Sequence, residues 1–78
     1  MLHDLKIKPE YFNAVLEGKK TFEIRNNDRN FQVGDSITLK EFDEGQYTGR
    51  SIGTFEITYV LKGPCYGLQE GYCIFSFK

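Results

Sequence analysis

Residues 18–25 read Gly18-Lys19-Lys20-Thr21-Phe22-Glu23-Ile24-Arg25. A glycine followed at once by an alternating run marks a helix stop joined directly to a strand. The residue just past a helix takes a positive φ that glycine adopts without a Cβ clash, and strand side chains alternate with a period of two. The alternation directs Phe22 and Ile24 to the core and puts Thr21, Glu23 and Arg25 together on the other face.

The same grammar extends upstream. His3, Leu5 and Ile7 alternate with Asp4, Lys6 and Lys8, which predicts a half-buried strand over residues 3–8. Pro9 then opens a helix at the one position where its missing N–H is harmless, and Glu10 suits the positive helix start. Tyr11, Phe12, Val15 and Leu16 form one apolar stripe, so a short helix is predicted over 9–17.

Downstream, residues 26–30 (Asn-Asn-Asp-Arg-Asn) are turn chemistry, and Phe31 and Val33 tuck the chain back before Gly34. Ser36 to Phe42 reads as a third strand, with Ile37, Leu39 and Glu41 in register. Asp43-Glu44-Gly45-Gln46 is a loop. Arg50 to Lys62 is the longest strand pattern, with Phe55, Ile57, Tyr59 and Leu61 on one face and Gly53 marking a bulge or corner. Gly63 to Gly67 is a loop, and Tyr72–Phe77 is the last strand. The expected fold is therefore mainly β, with five or six strands and one or two short helices. Strands this rich in Phe and Tyr bury best by curling into a small barrel with the helix after strand 1 beside it.

Size and composition limit what such a chain can be. Its 78 residues make a single domain, residues 1–78. Aromatics at 15% exclude a disordered tail. The net charge of −1 excludes a globally basic nucleic-acid clamp, so any such contact must use a local patch. The first thirty residues hold six Lys and Arg against five Asp and Glu, while the rest hold four against six, so positive charge gathers toward the start. No apolar run reaches the roughly 20 residues that cross a bilayer, and the charged opening MLHDLKIKPE reads as neither a signal peptide nor an anchor. Cys65 and Cys73 are expected as free thiols in a reducing cytoplasm, acting as small hydrophobes. With one histidine and no C-x-x-C, neither a metal site nor a cofactor is expected.

The residues most suited to chemistry lie in the opening octad. Glu23 and Arg25 sit about 7 Å apart along one strand face, with Lys20 just upstream at the seam between helix and barrel. Arg25 suits a phosphate or planar base edge, Lys20 supplies a flexible point charge, and Glu23 accepts amino hydrogens. Arg29 offers a second contact, and Tyr66, flanked by Pro64 and Gly67, is the aromatic candidate for a cleft lid. Tyr47 and Arg50, around Gly49, suit stacking on and clamping a base. His3 suits either an edge position or a partner for a core polar group.

Gly18-x-Lys20-x-x-Glu23-x-Arg25 resembles the G-x-K-x-x-E-x-R signature of the ASCH superfamily, related to PUA domains. The blocks Lys8–Phe12, Asn27-Asp28-Arg29, Val33-Gly34-Asp35, Tyr47–Arg50 and Gly67–Tyr72 extend the similarity to a short ASCH-like family of phages and low-GC bacteria. The resemblance implies a PUA-like pseudo-barrel with a cleft beside the helix, and RNA or a nucleotide-like ligand as partner. One enzymatic branch hydrolyses N4-acetylcytidine. Its catalytic lysine falls at Lys20, but its threonine falls at Glu23 and its glutamate lies in a segment without counterpart here. The reading thus leans to a small RNA- or nucleotide-binding module rather than an enzyme. The alternatives are an amidohydrolase using Lys20 and Glu23, and a non-catalytic phage or bacterial accessory protein with a protein partner.

Overall fold

A computed structural model describes residues 1–78. The chain runs β1 (Leu2–Ile7), α1 (Pro9–Leu16), β2 (Phe22–Asn26), β3 (Ser36–Asp43), β4 (Gln46–Lys62) and β5 (Tyr72–Phe77). Strand dominates and there is one short helix, as the alternation predicts. In β1 the alternation holds residue by residue, with His3, Leu5 and Ile7 buried. Pro9 occupies the first helical turn, and the Phe12 amide closes that turn on the Lys8 carbonyl at 2.8 Å. The buried stripe of α1 is narrower than its sequence suggests: Phe12 and Val15 enter the core, while Tyr11 and Leu16 remain exposed.

The exit from α1 sets the path of the chain into β2. Gly18 adopts φ +75°. Its amide donates to the Val15 carbonyl, and the Lys19 amide donates to the Ala14 carbonyl, both at 2.9 Å. These are the paired bonds of a Schellman cap. The Lys20 amide also returns to Ala14, at 3.1 Å, so the chain is held against the helix end until β2 begins.

The strands form one five-stranded sheet in the order β1-β3-β4-β5-β2, with β1 parallel to β3 and every other pair antiparallel. The 17-residue β4 joins the two halves, pairing with β3 at one end and β5 at the other. Its pairing has three irregularities, one opposite Lys40–Phe42 near the hairpin and two further along. At the first of the latter two, Ile37 pairs with Phe55 and Thr38 with Gly53, leaving Thr54 unpaired, so the bulge falls where Gly53 predicts it. Gly53 has φ +138°, and a Cβ there would lie 2.9 Å from the Ile37 carbonyl oxygen. At the second, Thr58 is the extra residue between Ile57 and Tyr59. A bulge shifts side-chain phase by one residue. Tyr59 is therefore turned outward, at 64% exposure, and Val60 packs on the core in its place. The expected face of Phe55, Ile57, Tyr59 and Leu61 breaks at this point. The β3–β4 hairpin turns on Glu44-Gly45, both at positive φ, as a two-residue loop requires.

The core gathers Leu5, Ile7, Phe12, Val15, Phe31, Ile37, Leu39, Ile57, Cys73, Phe75 and Phe77. Phe31 lies 4.9 Å from Phe75 by ring centroid. Residues 3–31 thus wrap onto a scaffold of β3, β4 and β5. The hydrogen-bonded ladder does not close on itself: β1 and β2 are its two edges, and side chains rather than backbone bridge them.

β2 departs most from its sequence pattern. Phe22 and Ile24 face outward, 44% and 55% exposed, while Glu23 is buried at 4%. The alternation is present, but the face is reversed. Period two fixes which residues share a face without fixing which face is inside. Here the phase comes from β5: Glu23 pairs with Phe75 and Arg25 with Cys73, and both of those partners are core residues.

Candidate functional site

The reversed phase of β2 carries Glu23 and Arg25 inward, toward the gap left between the two edge strands. A cavity of 460 Å³ lies there, lined by Lys6, Ile7 and Lys8 at the end of β1, Tyr11 of α1, Lys20, and Phe22 to Arg25 of β2. Lys20, Glu23 and Arg25 therefore share one hollow beside the helix.

Glu23 organises the site. One carboxylate oxygen accepts from the Lys20 ammonium and the other from Arg25 Nε at 2.9 Å. Lys20 also donates to the Phe22 carbonyl at 2.7 Å. Its ammonium stands 5.6 Å from the Tyr11 ring centroid and 5.2 Å from that of Phe22, so two aromatic faces flank the charge. A carboxylate taken out of water is retained only when paired and hydrogen-bonded. Here one carboxylate holds two cations, which leaves a local positive surplus in a chain of net charge −1. With one cation on each oxygen, Glu23 is the counter-ion that fixes both. The Lys6 ammonium points away, 4.5 Å above the Phe42 ring.

Below the cleft, two guanidinium groups cross the open seam. Arg25 Nη2 donates to the Lys6 carbonyl at 2.6 Å, and Arg29 Nη1 donates to the Asp4 carbonyl at 2.7 Å. Both carbonyls belong to the otherwise unpaired edge of β1. Arg29 lines a second hollow of 220 Å³ with Leu5, Arg25, Asn26, Asp28 and Phe31. Arg25 is common to both hollows.

Tyr66 is not part of this arrangement. It is 99% exposed in the β4–β5 loop and absent from the cleft lining. The loop rejoins the sheet at Tyr72, which pairs with Asn26, and Gly71 accepts from the Asn27 amide. It therefore sits off the end of β2 opposite to Lys20, where Tyr66 cannot close the cleft. Arg50 lies away from this cleft: with Tyr47 it lines a separate hollow of 300 Å³, and it also holds structural contacts. Its guanidinium lies 4.5 Å above the Phe12 ring, donates to Asn13 Oδ1 at 3.2 Å, and faces the buried Glu41 at 3.5 Å. Glu41 also accepts from the Thr48 hydroxyl at 2.7 Å, so the β3–β4 hairpin is pinned to α1. Tyr47 packs edge-on against Phe42.

His3 is a partner for a core polar group. Its Nε2 lies 2.8 Å from Asp35 Oδ2, and its ring packs edge-on against Phe31 at 4.8 Å. The His3 hydrogen bond holds the Asp35 carboxyl below its usual range; burial opposes this, and the Gln32 amide adds to it. Cys65 and Cys73 are free thiols. Burial pushes the Cys73 thiol upward, away from thiolate chemistry. No group of three or more His, Cys, Asp or Glu side chains comes together, and no helix is long and apolar enough to cross a membrane.

Lys8 and Tyr11 line the cleft although their sequence positions do not mark them for it. Tyr11 sits on the apolar stripe of the helix and reads as core. The signal that identifies it is its place in the first turn of so short a helix, on the flank to which the capped chain returns Lys20.

Fold and site together define a small β-dominated protein whose open sheet edges flank a cation-lined cleft. The chain belongs to the family described as Domain of unknown function (DUF3850), whose model matches residues 2–77. It is 45% identical over 51 residues to the Uncharacterized 12.9 kDa protein in GpA 3'region of Escherichia phage P2. That stretch is 65% of this chain and 47% of the phage protein, so the match spans about half the length of this curated relative.

Proposed function

We propose that this chain is a small ASCH-like, PUA-like module that binds RNA or a nucleotide-like ligand in the cleft between β1, α1 and β2, in the cytoplasm of a bacterial or phage-infected cell. One observation carries the reading: a buried carboxylate fixes a lysine and an arginine in a single hollow, with aromatic rings on either side of the lysine. Such a site offers donors to phosphate or carbonyl oxygens and flat surfaces to a base. Lys20 and Arg25 are the contact residues, and Glu23 positions both. Titration of the purified protein with labelled oligonucleotides and free nucleotides at several salt concentrations tests this. Binding with a shallow salt dependence is expected, since few phosphates are engaged. Arg25→Ala should weaken it at least tenfold. Absence of binding to every probe, or an unaffected Arg25→Ala variant, removes the reading.

A second reading, an accessory protein that docks on another protein, draws on the outward face of β2 and β5, where Phe22, Ile24 and Tyr72 are exposed. Such a face behaves as an interaction patch when its apolar area is contiguous. Dye binding and sedimentation at rising concentration report on this. A protein that stays monomeric and binds no hydrophobic dye counts against the reading.

A further inference from the structure

We infer that the β1–β2 seam is a track for a short single-stranded phosphodiester chain, with one unit seated at Lys20 and the next phosphates on Arg25 and Arg29. The inference rests on the binding reading above and narrows its ligand from any nucleotide to a strand.

The order of the cations along the seam is the main observation. Through the parallel and antiparallel pairings of the sheet, β2 runs opposite to β1. Lys20, just before β2, therefore lies level with the end of β1, where Ile7 and Lys8 line the cleft. Arg25 comes next, on the Lys6 carbonyl, and Arg29 follows on the Asp4 carbonyl. Two residues of extended strand separate those carbonyls by about 7 Å. The three cations thus descend one strand edge in a line instead of surrounding a single point.

Each guanidinium keeps donors for a ligand. Arg25 commits Nε to Glu23 and Nη2 to Lys6, which leaves Nη1. Arg29 commits Nη1 alone, which leaves Nε and Nη2, and it has no carboxylate partner. A phosphate can be accepted at either without breaking the bond to β1. The upper and lower hollows, 460 and 220 Å³, share Arg25 in their walls. A single nucleotide fills only the upper one, where Tyr11 and Phe22 offer ring faces.

The test uses 5′-phosphorylated, randomised-sequence nucleotides of one, two and three units, in ribose and deoxyribose series. Wild type, Arg29→Ala and Arg29→Lys are titrated by calorimetry after thermal melts confirm that all three are folded. In wild type, affinity is expected to rise roughly tenfold from mononucleotide to trinucleotide. The slope of log affinity against log salt should steepen by roughly 1.4 for two added phosphates. Arg29→Ala removes the step from two units to three and leaves the step from one to two and the mononucleotide affinity in place; Arg29→Lys restores part of the lost step. A gain in either sugar series supports the track, and the difference between the series identifies the sugar it prefers. Equal affinity for one and three units overturns the track but leaves the cleft reading standing. So does an Arg29→Ala variant that weakens both alike, or a glutamate peptide of matching charge that binds as tightly as the trinucleotide. Failure of every probe overturns both.

Discussion

At Glu23 a small change reaches both the stability of the fold and the charge of the cleft. Its carboxylate is buried and accepts from two cations that are themselves partly shielded from water. Glu23→Gln strips the counter-charge and leaves Lys20 and Arg25 facing each other, a loss expected to cost about 3 kcal/mol. Urea unfolding measures that cost, and a variant within about 0.5 kcal/mol of wild type would show the network to be solvated. Asp35 gives a residue-scale prediction with a pH sign. Its carboxyl titrates below the ordinary value because His3 donates to it. The pair's stabilisation is therefore complete above the unfolded carboxyl value of about 3.9 and fades as pH falls through the lower folded value. Asp35→Asn should be less stable than wild type at pH 6, and the gap should narrow steadily toward pH 2 in thermal melts.

At the scale of elements, β2 and β4 show how phase is decided. Ile24 follows the pattern of a buried strand residue, yet it faces solvent. Ile24→Ala should then cost less than about 1 kcal/mol, against the roughly 2–5 kcal/mol of a core truncation; denaturant midpoints separate the two. The capping glycine and the bulge glycine differ in the same testable way. A Cβ on Gly18 meets nothing within 4 Å, so Gly18→Ala carries only the conformational penalty of about 1 kcal/mol. Gly53→Ala adds a clash with the Ile37 carbonyl and a strained φ, so it should destabilise clearly more than Gly18→Ala in the same assay. Element types and most boundaries were legible because proline, glycine and alternation act locally. The direction in which β2 faces was not, because it is set by pairing with β5, some fifty residues further along the chain.

At the scale of the whole molecule, the sheet is held at its open side by two arginine side chains instead of a ladder. Replacing both Arg25 and Arg29 by alanine should speed amide hydrogen exchange along β1 while leaving the β4–β5 pairing protected. Equal acceleration everywhere would mean that the seam supports the entire fold. The mainly-β architecture with its single early helix could be read from composition and period. The convergence of Lys20, Glu23 and Arg25 could be read only as shared position on a strand; their burial needed the topology. Tyr66 illustrates the remaining gap, since glycine-flanked aromatics look alike in sequence whether their loop ends beside a cleft or at the far end of the sheet. The cleft also has an unusual economy of chain: every residue lining it falls between Lys6 and Arg25, while most of the supporting sheet comes from residue 36 onward. The cleft lining and most of the supporting sheet are therefore separate consecutive pieces of one polypeptide. Exchange of that single segment would rebuild the cleft wall while the later strands stay as they are.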